Sequence, residues 1–228
     1  MNKPAWNSAL GELRSMFKSK ENIDAAKQLA LKLHAMVFTS EMSGTVHTTF
    51  EDELWDGLDE ETLRFAVNKK GRTIVYGLWH SARIEDITMN LLVAGRDQLF
   101  EKDKWEEKIK SPVRHTGNSL SSTEIMNFSS LIDITELKAY RTEVGRNSEN
   151  IIRNLKQEDL HRKIYKDNLK RILDEGAVDN VESANWLIDF WRKKDVAGII
   201  LMPCLRHQLV HINESMEAKS NNRKTVRS

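Results

Sequence analysis

Three histidines carry the chemistry that can be read from this chain. His207 and His211 stand four residues apart in Met202-Pro-Cys-Leu-Arg-His-Gln-Leu-Val-His-Ile-Asn-Glu214. On a helix that spacing sets them about 6 Å apart along the axis and only ~40° apart around it. Both imidazoles can then face one metal ion, each supplying a nitrogen at roughly 2.0–2.1 Å. Two ligands hold a metal poorly, so a third must come from elsewhere. His80, in Tyr76-Gly-Leu-Trp-His-Ser-Ala-Arg-Ile-Glu-Asp86, is the candidate, on an earlier helix. Three neutral histidines leave at least one coordination position open, which separates catalytic from structural metal sites. A water bound there falls toward a pKa near ~7, or a thiol is held as thiolate. The second route needs no protein nucleophile, and the chain shows no Ser-His-Asp array.

Spacing alone reads equally well as a polar surface pair. Glu214, three residues past His211, is placed to orient an imidazole from behind; Glu85 and Asp86 stand at less favourable angles from His80. His47 is a weaker fourth candidate, several turns farther than His80 from the turn at 69–72. His34, His115 and His161 read as ordinary surface or interhelical residues. Cys204 lies one turn before His207 and reads as a small buried hydrophobe. Trp79, Trp186 and Trp191 read as packing residues, although Trp79, next to His80, is a candidate pocket wall.

The elements that must position these residues are helices. Three prolines, ten glycines and little β-branched alternation predict long helices with few breaks. The first is expected from Asn22 to Leu58, with Leu29, Leu33, Met36 and Val37 as its apolar stripe. The second runs from Thr73 to Ala94, closed by Gly95. Residues 96–122 read as an irregular connection. Ser121-Ser-Thr-Glu124 has capping-box spacing and opens a third helix to Leu155. Lys156 to Gly176 is a charge-rich amphipathic stretch, expected as a shorter helix over the bundle. The last helix starts at Asp195 and runs to Lys219, kinked by Pro203. Residues 220–228 read as a polar, disordered tail after a single domain over 1–219.

Lys+Arg 35 against Asp+Glu 34 gives 228 residues a net charge of +1. No global field recruits nucleic acid or an anionic membrane. The lysine- and arginine-rich stretch from Arg162 to Arg171 is interrupted by acids and reads as a solvated helix face. Apolar runs fall short of the ~20 residues a membrane span needs, and Met-Asn-Lys-Pro-Ala-Trp has no hydrophobic signal core. One cysteine excludes an intrachain disulfide and a cysteine-cage zinc site. A cytoplasmic protein is the expectation.

Over residues 20–219 the chain resembles the DinB/YfiT-like metal-dependent proteins. The resemblance is carried by Thr73-Ile-Val-Tyr-Gly-Leu-Trp-His-Ser-Ala-Arg-Ile-Glu-Asp86, by Phe128-Ser-Ser-Leu-Ile-Asp-Ile-Thr-Glu-Leu-Lys-Ala-Tyr-Arg141, by Trp186-Leu-Ile-Asp-Phe-Trp191 and by Arg206-His-Gln-Leu-Val-His-Ile-Asn-Glu214. It implies an all-α four-helix bundle, often a homodimer, holding zinc or nickel on one histidine of the second helix and an HxxxH pair of the fourth. Carried over, the ligands are His80, His207 and His211. Some members of that family look like transferases that attach low-molecular-weight thiols to small electrophiles, or isomerases that use such a thiol. The helical insert around residues 156–185 is longer than in the shortest members and is placed to reshape the mouth of the site. The expected function is a metal-dependent enzyme acting on a small molecule by thiol transfer or hydrolysis. The alternative is a non-catalytic metal- or ligand-binding bundle.

Overall fold

The computed structural model describes residues 1–19 and 22–225. Their regular structure is helical; among them no strand forms, and β-pairing is limited to the isolated bridges Val67–Thr73 and Lys163–Asp195. No helix is long and apolar enough to cross a membrane, among the described residues.

The chain opens with a helix that was not expected, α1 (Lys3–Ser19). Its buried residues Trp6, Leu10, Leu13 and Phe17 recur at helical spacing, and the Trp6 indole donates to the Leu33 carbonyl at 2.9 Å. That bond ties α1 to α2 (Ile23–Ala35), which begins at an Asn22 cap but does not reach Leu58. The segment beyond it breaks into α3 (Ser40–Ser43), α4 (Phe50–Trp55) and α5 (Glu60–Phe65). Thr39, Thr49 and Asp59 stand at their N-caps, and the side chains of Thr49 and Asp59 accept the capping hydrogen bonds. Repeated cap residues, rather than proline, divide the segment.

The helix carrying His80 has the expected bounds but two windings. Thr73 caps α6 (Ile74–Asp86), and Ile87–Ala94 continues it as a π-helix ending at Gly95 in the left-handed conformation. The connection after it holds two short helices, α7 (Leu99–Lys102) and α8 (Trp105–Ile109). The capping box at Ser121 and Glu124 forms and opens α9 (Ser122–Leu131). Asp133 then caps a separate α10 (Ile134–Asn154), so the expected third helix is two.

The charge-rich stretch contains a 3₁₀ turn at Gln157–Asp159 and α11 (Lys166–Asp174), followed by α12 (Glu182–Arg192). Asp195 caps α13 (Val196–Ile199) as expected. Residues Ile200–Arg206 are π-wound and pass into α14 (His207–Thr225). Pro203 lies within the π segment, whose longer-range bonding takes up the residue that lacks an N–H; the His207 N–H bonds to the Met202 carbonyl. The helix continues past Lys219 to Thr225, so the tail expected from residue 220 is helical there. Residues 226–228 lie outside the described residues.

At the centre, α6 packs against α14 on one side and α10 on the other, and α10 also meets α2. Every residue of α6 is buried, charged ones included. Arg141 on α10 is the main polar bolt. Its guanidinium takes both oxygens of Glu51 (3.0 and 2.7 Å), the Leu78 carbonyl (2.7 Å) and the Ser81 hydroxyl (2.9 Å). It thereby fixes α4, α6 and α10 around the turn of helix that bears His80.

Candidate metal centre

The structure brings His80, His207 and His211 together. Their ligand atoms lie within 4.8 Å of one another, and the ring centroids are 4.4 to 5.2 Å apart. The Nε2 atoms of His207 and His211 are 3.1 Å apart. Two nitrogens bound tetrahedrally at roughly 2.0–2.1 Å would stand about 3.3 Å apart, so the pair is close to ligating separation.

Each ring is held from outside. His80 is buried, and its Nδ1 lies 2.6 Å from the Thr116 carbonyl, which can only accept. The proton therefore sits on Nδ1, and Nε2 keeps its lone pair for a ligand. Tyr76, one turn earlier on α6, stacks on the His80 ring at 5.3 Å with 8° between planes. The Tyr76 hydroxyl donates to the Gly117 carbonyl at 3.1 Å, beside Thr116. Gly117 has φ of +76°, and a Cβ there would fall 2.6 Å from the Trp79 ring. The 116–117 turn is thus shaped to lay a carbonyl on His80.

His207 and His211 are bound less completely. Neither Nδ1 has a hydrogen-bond partner although both atoms are buried. Glu214 Oε2 is 3.4 Å from His211 Nδ1 without hydrogen-bonding geometry. The carboxylate is instead held by Lys70, which donates to Oε1 at 2.6 Å, and by Arg72, which donates to Oε2 at 3.1 Å. Glu214 therefore sits behind His211 as expected, but as part of a charged rim.

All three imidazoles favour the neutral, ligating form. Burial pushes His80 down to about 4, and the nearby Arg72 charge acts the same way. Burial also holds His207 and His211 well below the ordinary histidine range, helped by the neighbouring imidazoles and Arg72. Buried nitrogen donors with lone pairs turned toward one another fit a divalent cation.

Beside His207 lies a pocket of about 200 Å³, walled by Ile84, Asn118, Trp186, Leu187, Phe190 and Met202. Helix α12, which begins at the end of the 156–185 insert, supplies its aromatic side, and Trp186 is 56% exposed there. A larger cleft, about 740 Å³, lies away from the tripod against Glu51 and Arg141.

The other candidates separate cleanly. His47 is exposed and outside the cluster. His115 accepts from the Gly117 N–H, and His161 lies 3.6 Å from Asp195. Asp86 takes no part at the tripod: it accepts from Tyr140, Asn90 and the N–H groups of Leu99 and Phe100. Trp79 is buried against Phe128 and backs the Gly117 turn. Of the two readings given to His34, surface or interhelical, the second holds: it is fully buried and paired across α2 and α6 with Glu85 at 2.7 Å, and Cys204 joins these two rather than the tripod. Thr116 was invisible in the sequence because it acts through its backbone. Tyr76 was in view, four residues before His80 on one face.

No protein-family model matches the chain, and no curated protein sequence matches it.

Proposed function

We propose that this chain is a divalent-metal enzyme of the DinB/YfiT-like kind, acting on a small molecule. In this reading α2, α6, α10 and α14 with its π-wound lead form the four-helix bundle, with the insert over one end. His80, His207 and His211 hold zinc or nickel. The bound ion supplies Lewis acidity that activates a water or a low-molecular-weight thiol. The chain's own part is positional. Thr116 fixes the His80 tautomer, Arg72 and Lys70 place positive charge beside the tripod, and the pocket of Trp186, Phe190 and Leu187 takes the apolar body of the substrate and excludes water. A cytoplasmic homodimer with no nucleic-acid or membrane partner completes the reading.

The observation that carries it is the convergence of three neutral imidazoles, two buried and His207 half-buried, next to an apolar pocket. Protein purified without a histidine tag, as wild type and His80→Ala, is assayed for metal by mass spectrometry. The variant is expected to hold one divalent ion per chain fewer while its circular dichroism stays helical. Unchanged metal content in the folded variant would remove the tripod as a metal site.

The burial of His80 and His211 favours a second reading, an ion that is structural only. Cobalt-loaded protein separates the two: visible absorption that shifts on adding a small thiol marks an open position, and an unresponsive spectrum marks a closed site.

A further inference from the structure

A second cluster of metal-binding residue types lies in the core, apart from the tripod. His34 of α2, Glu85 of α6 and Cys204 of the π segment are each 0% exposed. Their ligand atoms lie within 4.8 Å of one another. His34 Nε2 and Glu85 Oε1 are 2.7 Å apart. We propose that His34, Glu85 and Cys204 form a second metal site, for a thiolate-accepting divalent ion such as zinc.

Imidazole nitrogen, carboxylate oxygen and cysteine sulfur are the three donor types that zinc takes from proteins. One of them is also oriented from behind. The far carboxylate oxygen of Glu85 accepts from the Gln208 amide at 2.6 Å, an outer contact of the kind that positions a ligating carboxylate. The far nitrogen of His34, Nδ1, is buried without a hydrogen bond, with a Glu149 oxygen 3.9 Å away.

Charge balance fits the same assignment. Imidazole, carboxylate and thiolate together carry two negative charges, which a divalent ion neutralises, so the occupied site leaves no uncompensated charge in the core.

The cluster is closed to solvent, so the ion must enter as the chain folds. Protein is accordingly produced in zinc-depleted medium supplemented with cobalt. Wild type is expected to carry two cobalt ions per chain and a near-ultraviolet thiolate-to-cobalt charge-transfer band. Cys204→Ser should lose that band and one ion. His80→Ala should lose one ion and keep the band, because Cys204 is the only sulfur donor of its kind in the chain. X-ray absorption of zinc-loaded wild type needs no variant and should show a sulfur neighbour at about 2.3 Å. Wild type with neither the band nor the sulfur neighbour overturns the proposal and leaves a buried ion pair beside a thiol. A band present without the tripod's ion would instead remove the function proposed above and leave this site standing.

Discussion

Replacing Arg141 with methionine keeps an unbranched side chain of similar reach and deletes the guanidinium. In the native protein that group makes two bonds to Glu51, one each to Leu78 and Ser81 and a long one of 3.5 Å to Gln208, with both ionic partners 2% exposed. The Leu78 carbonyl is the smaller loss, since helical carbonyls retain an in-helix partner. Glu51 is left with the Trp55 indole at 3.2 Å as its remaining side-chain contact. A buried charge stripped of its partner costs about 3–5 kcal/mol. For a chain of this size each kcal/mol is worth roughly 2–4 °C, so Tm should fall by about 6–20 °C. Urea unfolding followed by circular dichroism gives the free energy directly. The companion Arg141→Met/Glu51→Leu removes both charges and should recover at least half of the loss. A single variant within ~1 kcal/mol of wild type, or a double variant worse than the single, would show that the pair does not bolt α4 to α6 as described.

Gly117→Ala should destabilise by about 1–3 kcal/mol, from left-handed backbone and the Trp79 contact together, and should weaken metal retention through Thr116; thermal denaturation and metal content check both. His207→Ala should remain helical by circular dichroism while losing the tripod's ion, and adding zinc to chelator-treated wild type at about 100 times Kd should stabilise it by about 2.7 kcal/mol. Metal-free protein should lose stability as pH falls below 6.5 toward about 4, because the unfolded chain then protonates histidines that the fold keeps neutral. The slope is at most about 1.4 kcal/mol per pH unit for each histidine; in urea titrations at several pH values His80→Gln should flatten it, and an unchanged slope would refute the assignment.

Legibility followed the range of the interactions. The HxxxH pair and the cap residues Ser121 and Asp195 act within a turn or two, and each was readable at its position. That His80 meets the pair is a contact between distant segments, which the resemblance and the helical pattern together anticipated. Division of the 22–58 segment was missed because its apolar periodicity outlasts α2, while the caps at Thr49 and Asp59 stop and restart the backbone. The His34–Glu85 pair was missed because charged residues normally sit outside. His34 and Glu85 are 51 positions apart, and nothing local shows that each buries the other's charge.

The π-wound stretch before His207 also sets an angular phase. In an α-helix each residue advances the side-chain direction by about 100°, and wider winding acts as a residue inserted without lengthening the packed face to match. The buried face of Val196, Ile199 and Ile200 is thus decoupled in rotation from the face bearing His207 and His211. Deleting one residue between Leu201 and Arg206 would let the ladder relax toward α-winding and turn either the histidine pair or the upstream apolar face out of register. The segment works as a fixed vernier: helix α13 can seat in the core and α14 can aim its imidazoles, each in its own phase.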